Sequence, residues 1–180
     1  MSRQRASFRT MSLICELKAL DRDRLLVRAR ALLDVYRRIA SITLDDTEMT
    51  VAESKTHYAG NDSFVSDIRA GLSYLADFEP HHKKSEFEAK VTRLFETQWM
   101  MGLIELALER VRHYSNNGMN YYDILHKSYF SKRTYKNDDL QEIYGLEHSS
   151  FFDFKKEAVL LFGIYFWGYI IPEVNRGSAA

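Results

Sequence analysis

The sequence LQEIYGLEHSSFFDFKKEAV, residues 140–159, decides the fold. Apolar residues from Phe151 onward recur three and four positions apart, which is the spacing of one buried helix face. Gly145 and Leu146 form a tight turn before this helix, and Leu146 is the one apolar residue of the turn. A shorter helical segment, 138–144, precedes the turn. A short helix, a glycine turn and a second helix that begins with polar residues form the plan of a helix-turn-helix. The residues predicted to be buried in the second helix are Phe151, Phe154, Ala158 and Leu161.

The rest of the chain also carries helical patterns. Two prolines and eight glycines in 180 residues favour long helices over many short strands. Helices are predicted over about 21–40, 63–78, 85–114, 121–130, 138–144 and 149–171. Residues 41–61 are polar and aperiodic, which predicts a long loop and leaves disorder open. We therefore predict an all-α protein with a helical N-terminal region, 1–118, and a C-terminal helix-turn-helix domain, 119–175.

Several classes of site are absent from the sequence pattern. Cys15 is the single cysteine, so no intramolecular disulfide is expected, and a buried apolar role is predicted for it. The six histidines show no metal-ligand spacing, and the chain has neither a phosphate-cradling glycine loop nor a nucleophile elbow. We therefore predict no enzyme activity, no metal and no cofactor.

The cellular location follows from the apolar runs. Met1 to Thr10 is polar and basic, unlike a signal peptide. The longest uncharged apolar run, residues 158–171, has 14 residues, fewer than the roughly 20 that span a bilayer. A cytoplasmic protein without a membrane partner is the expectation.

The net charge of zero conceals a strong charge pattern. Residues 1–38 contain ten basic and four acidic side chains, and residues 39–80 contain two and eight. Residues 115–136 contain four basic and one acidic, and residues 137–180 contain three and seven. The basic and acidic blocks could pair within the chain, or a basic face could bind phosphates, and both interpretations stay open.

The segment 140–159 resembles the C-terminal motif of ArpU/RinA-type phage late-gene regulators, which is similar to the promoter-reading region 4 of sigma factors. Leu140 matches the family's aliphatic start, and residues 144–146 match its hydrophobic-glycine-aliphatic turn. Its aromatic pair is matched by residues 151–152 and its "KKEA" run by residues 155–158. Upstream, YYDILHKSYF resembles the helix before the motif, and ARALLDVYRRIA resembles the family's N-terminal helix.

This resemblance implies a promoter-binding regulator that recruits or redirects RNA polymerase. In a helix-turn-helix, the first residues of the second helix face base edges in the major groove, and basic residues around it contact phosphates. The DNA-binding residues implied are Lys132, Arg133, Lys136, His148, Ser149, Ser150, Asp153, Lys155 and Lys156. Double-stranded promoter DNA and RNA polymerase are the expected partners, and a homodimer stays open.

Acidic departures from the family pattern keep a second interpretation open. Glu147 stands where the family has serine, His148 where arginine is common, and Asp153 where a basic residue is expected. The alternative is a protein-interaction module on a helix-turn-helix scaffold that binds polymerase or another regulator without contacting DNA. A weaker alternative is a phage DNA-packaging protein with the same motif.

The apolar end of the last helix also has two interpretations. An all-round apolar surface is typical of a helix buried in the core, which is the favoured interpretation. If it were exposed, it would instead mark an interface. The interface candidates are Phe162, Tyr165, Phe166 and Trp167.

Overall fold

The computed structural model describes residues 3–43 and 98–177, together with the isolated positions 85, 86 and 89. Within these residues there is no β-strand, which confirms the predicted all-α class. The helices are α1 (Arg3–Leu17), α2 (Arg22–Thr43), α3 (Gln98–Arg112), α4 (Gly118–Leu125), α5 (Asn137–Tyr144), α6 (His148–Tyr165) and α7 (Ile171–Gly177). π-helical turns at His126–Phe130 and Phe166–Ile170 extend α4 and join α6 to α7.

The helical periodicity of the sequence predicts most of these helices. The predicted helix at 21–40 corresponds to α2, which continues to Thr43, so the predicted loop at 41–61 begins too early. The end of the predicted helix 85–114 corresponds to α3, and 138–144 corresponds to α5. The predicted helix 63–78, the loop beyond Thr43 and most of residues 85–97 lie outside the described residues.

Helix α1 was not predicted, because its first residues are polar and basic. Among the side chains of α1 that the structure describes, Ser7, Met11 and Cys15 are buried, and they lie four residues apart on one helix face. Cys15 is 2% exposed, which confirms the buried role predicted for it. Burial raises the pKa of its thiol, and the nearby Arg22 guanidinium opposes that shift.

Helix α6 is the centre of the described fold. It packs against α1, α2, α3 and α4, and every residue from Glu157 to Ile164 is buried. All four residues predicted to form its buried face are buried. The largest fully buried side chains around it include Met11, Leu32, Leu33, Met100, Ile104, Tyr121, Phe151, Phe162 and Phe166.

Helices α2 and α6 run in opposite directions and approach closely at Gly163. A Cβ atom on Gly163 would lie 3.1 Å from the Ala29 Cβ and 3.1 Å from the Leu25 Cγ. Further along, a Cβ on Gly168 would lie 3.1 Å from Leu20 Cδ1, just before α2 begins. The two glycines therefore allow Leu20 and the start of α2 to lie directly against the second half of α6 and the π-turn that follows it.

A polar network lies inside the core where α1, α4 and α6 meet. The Tyr121 hydroxyl donates to Glu157 Oε2 at 2.5 Å, and it lies 3.1 Å from Ser7 Oγ. Glu157 is 4% exposed and Ser7 is 3% exposed, so both depend on protein partners rather than water. This network joins three helices that are distant in sequence.

One continuous cluster of buried residues extends through both described segments. It includes Leu32 of α2 and Ile104 of α3 as well as Phe162 of α6. This packing favours a single folding unit, and the division of the chain into 1–118 and 119–175 stays a prediction. The helix His148–Arg176 is long and apolar enough to cross a membrane by length and composition alone, and most of its apolar stretch is buried.

Candidate nucleic-acid interface

A sharp turn joins α5 to α6. Gly145 has φ 59° and ψ 33°, the left-handed conformation that glycine adopts without steric cost. The Gly145 amide donates to the Glu142 carbonyl at 3.2 Å, and the Leu146 amide donates to the Gln141 carbonyl at 3.2 Å. This pair of hydrogen bonds is the Schellman arrangement that ends a helix. It redirects the chain, and only three residues separate the end of α5 from the start of α6.

Helix α5 is held in place by side chains from α4 and α6. The Tyr144 hydroxyl donates to Asp123 Oδ2 at 2.5 Å, and Lys127 also binds the Asp123 carboxylate. Burial acts to raise the pKa of Asp123, but the hydrogen bonds from Lys127 and Tyr144 outweigh it and hold this pKa below its usual value. The Tyr144 ring packs on Phe154, so both ends of this tyrosine connect α5 to its neighbours.

Asparagine is a common N-cap residue, so the sequence predicts Asn137 as the cap of α5, but the structure differs. Lys136 occupies the cap position, and its amide donates to Asp139 Oδ2 at 2.9 Å. Asn137 is instead the first residue of the helix, and its side-chain oxygen accepts a hydrogen bond from Lys155 Nζ at 3.0 Å. The cap prediction was wrong because Asp139 satisfies the exposed amide while Asn137 contacts α6.

The first turns of α6 present one exposed face. His148, Ser149 and Asp153 are exposed and Ser150 is half-buried, which agrees with a surface location for these predicted DNA-binding residues. Phe152 lies on the same face, is 38% exposed and has its ring centroid 4.6 Å from that of His148. Phe152 was not included among the candidates, although the buried spacing from Phe151 to Phe154 leaves it outside the core stripe.

Lys155 and Lys156 lie on different sides of α6, since successive helical residues are about 100° apart. Lys155 is half-buried, donates to Asn137 and has its ammonium 5.3 Å from the centre of the Tyr129 ring. Lys156 is exposed, and its ammonium lies 5.9 Å from the centre of the Phe8 ring on α1. The two lysines therefore do not form a single basic stripe.

The connector between the π-turn and α5, residues 131–136, carries three exposed cations. Lys132, Arg133 and Lys136 are all exposed, and the Arg133 guanidinium lies 4.9 Å from the centre of the Tyr135 ring. The connector leads directly into Asn137, which Lys155 contacts. The structure thus brings the connector next to Lys155, while Lys156 stands apart.

An acidic edge borders the turn. Asp138, Asp139, Glu142 and Glu147 are exposed, and only Asp139 has a capping role in the described contacts. Acidic side chains near phosphates weaken nucleic-acid binding, which is largely electrostatic. The sequence had flagged Glu147, and the structure shows that α5 adds to the same negative edge.

The interface predicted at the apolar end of α6 and in the π-turn that follows it is corrected by the burial of its side chains. Phe162 and Phe166 are 0% exposed and Trp167 is 6% exposed, so these side chains belong to the core and offer nothing to a partner. Tyr165 is half-buried. The core interpretation of this apolar stretch is therefore the correct one.

Within the described residues, no group of three or more His, Cys, Asp or Glu side chains is arranged to hold a metal ion. Comparison of the chain with protein-family models, curated proteins and solved structures finds no match. The resemblance to ArpU/RinA-type regulators therefore stays a prediction carried by residues 140–159.

Proposed function

We propose that this protein is a DNA-binding transcriptional regulator of the ArpU/RinA type, encoded by a phage or prophage, that acts at promoters with RNA polymerase. The observation that carries the proposal is the polar, exposed start of α6, presented after the Gly145 turn and flanked by the cationic connector. This is the arrangement that a major-groove helix requires.

Roles follow from the position of each side chain. Ser149, Ser150 and Asp153 would face base edges, and His148 would lie at the entrance to the groove. Lys132, Arg133 and Lys136 would contact phosphates, as would Lys155, while Lys156 would contact the backbone on the other side of α6. The exposed Phe152 would make the apolar contact on this face, for which a thymine methyl group is a suitable partner.

A second candidate function is a module that binds RNA polymerase or another regulator without contacting DNA. The observation that favours it is the combination of the acidic edge of α5 with two exposed apolar side chains, Ile143 at 54% and Phe152 at 38%. Such a mixed surface suits a basic, partly apolar protein surface better than it suits phosphates.

The deciding experiment is binding of the purified protein to random-sequence and host-promoter duplexes across a salt series. We expect saturable binding that weakens steeply with salt, because each phosphate contact releases about one counterion. The variant Lys132→Ala/Arg133→Ala should lose affinity for all duplexes alike and reduce the salt slope by about two. The variant Arg112→Ala/Arg176→Ala removes the same charge at exposed sites outside the connector and is the matched control.

Absence of binding by the wild-type protein at low salt would overturn the DNA-binding proposal. The second candidate would then be tested by direct binding to RNA polymerase, with Ile143→Ser and Phe152→Ser as the variants expected to lose it. Equal losses in the connector variant and its control would show nonspecific charge attraction rather than a built interface.

A further inference from the structure

Helix α2 presents a charged face toward the helix-turn-helix region. Arg30, Asp34 and Arg37 are spaced four and three residues apart, so they share one side of the helix. Arg30 and Asp34 are exposed and Arg37 is half-buried. The sequence pattern favours arginines on this helix that face solvent or pair with the acidic residues of 45–53, and phosphate contact is the less favoured interpretation.

The charges on this face of α2 shift the pKa values of two side chains on other elements, Lys155 of α6 and Tyr129 of the π-turn. Burial lowers the pKa of Lys155, Arg30 and Arg37 lower it further, and Asp34 opposes them. Burial also raises the pKa of Tyr129 to about 12, with Asp34 adding to the shift and the same two arginines opposing it. The three charged groups of α2 therefore face both the end of the π-turn and the early part of α6.

Direct contacts fix the same geometry. Arg37 Nη1 donates to the Ser128 carbonyl at 3.1 Å, which ties α2 to the π-turn. The rings of Tyr36 and Phe130 have centroids 4.6 Å apart, so the residue just before the connector also packs on α2. At the other end of the connector, Asn137 accepts from Lys155. Both ends of the connector are thus attached to this cluster.

The backbone of the connector is therefore held beside α2 and α6 at both of its ends. Six residues extend over at most about 20 Å even when fully stretched, and both ends of this connector are fixed at the cluster. Arg30, Arg37 and Lys155 are the cations that surround Asp34, and the connector that begins and ends at this cluster adds the exposed Lys132, Arg133 and Lys136. The cations of this surface outnumber the single carboxylate of Asp34, so the surface has a positive potential that attracts anions.

We propose that Arg30 and Arg37 of α2 form, with Lys155 and the connector, one continuous surface for the backbone phosphates of double-stranded DNA. The inference rests on the proposed function and extends it, because it places phosphate contacts on the N-terminal part of the chain. DNA bound by α6 would then lie along α2 as well, and its register would be set by two elements far apart in sequence.

The test uses Arg30, since Arg37 also holds the Ser128 carbonyl and its loss would disturb the fold. The full-length variants Arg30→Ala and Arg30→Glu are compared with the wild type and with Arg176→Ala in the duplex-binding salt series. We expect Arg30→Ala to weaken binding to random and promoter duplexes by the same factor and to reduce the salt slope by about one. Arg30→Glu should weaken binding further, and Arg176→Ala should match the wild type.

Wild-type affinity and slope in both Arg30 variants would overturn the inference while leaving the proposed function intact. A fall in melting temperature without loss of affinity would also overturn it, because Arg30 would then neutralise an acidic part of the same chain.

A second measurement separates failure of the inference from failure of the proposed function. Calorimetric binding of inorganic tripolyphosphate requires no duplex recognition, and we expect the wild type to bind it and Arg30→Glu to lose that binding. If the wild type binds tripolyphosphate in this Arg30-dependent way but binds no duplex, the function fails and the anion surface stands. If it binds duplex DNA but not tripolyphosphate, with Arg30 variants unchanged, only the inference fails.

Discussion

Glu157 places an ionisable carboxyl group in the core, next to a surface that we propose to bind DNA. Burial raises the pKa of this carboxyl group, the hydrogen bond from Tyr121 opposes the shift, and the charge of Asp153 adds to it. The folded protein therefore binds a proton at Glu157 more tightly than the unfolded chain does. Its contribution to stability is fully present below the ordinary carboxyl pKa and is lost as the pH rises through the raised value.

We predict that Glu157→Gln removes this dependence. From about pH 4 upward, the free energy of unfolding of the wild type should fall more steeply than that of the variant, because glutamine keeps the contact with Tyr121 but does not titrate. Urea unfolding at a series of pH values measures the difference. Glu142→Gln, an exposed position on α5, is the matched control and should retain the wild-type slope. Parallel curves for the wild type and Glu157→Gln would show that the carboxyl group is not perturbed.

No pattern in the sequence indicates this role for Glu157. It lies in the run Lys155-Lys156-Glu157, which matches a family motif and has the composition of a solvated helix face. Its burial follows from its position on the side of α6 that meets Ser7 and Tyr121. Both of these residues are far from Glu157 in the sequence. Periodicity assigns a residue to a helix face, but it cannot identify a polar partner on another helix.

At the scale of elements, the chain uses glycine in two different ways at its turns. Gly145 has a left-handed backbone, and a Cβ there would have no atom within 4 Å. The residue before α4, Asn117, is also left-handed, whereas a Cβ on Gly118 would lie 2.6 Å from the Val111 carbonyl oxygen and 2.8 Å from that of Arg112. Gly145 is thus required because its backbone is left-handed, and Gly118 is required because a Cβ atom would collide with the backbone of α3.

These two causes predict different losses of unfolding free energy when each glycine is replaced. Gly145→Ala should lose about 1 kcal/mol of unfolding free energy, the cost of a left-handed alanine, and Gly145→Asn should lose less because asparagine tolerates that region. Gly118→Ala should lose about 3 kcal/mol, since the backbone of α3 cannot move aside as a side chain would. Chemical denaturation of the three variants measures the order. Equal losses for the two alanine variants would contradict the assignment of separate causes.

Most elements were predictable because their signals are local. The helix-turn-helix plan of residues 138–159 depends on one glycine and a three-to-four spacing, and the structure has two helices joined at that glycine. What could not be predicted depends on contacts between elements. The contact of Asn137 with Lys155 requires knowing how α5 packs on α6, and the position of Arg30 near Lys155 requires knowing that α2 packs against α6.

At the scale of the whole molecule, the core determines how the chain divides. The sequence suggested a boundary near residue 118, where a turn separates two groups of helices. In the structure, α6 buries its apolar surface against α1, α2 and α3, all of which precede that boundary. Gly163 lies against Leu25 and Ala29, and Glu157 shares a network with Ser7. The helices after the boundary therefore share one cluster of buried residues with the helices before it.

We predict that residues 119–175, prepared alone, do not fold cooperatively. Without α1 to α3, the apolar side chains of α6 would face water, and helices of this length are marginal in isolation. Thermal unfolding followed by circular dichroism should show a broad, shallow change for the fragment and one sharp transition for the full-length chain. A sharp transition in the fragment would instead show that residues 119–175 fold independently and that α6 does not need α1 to α3 for its stability.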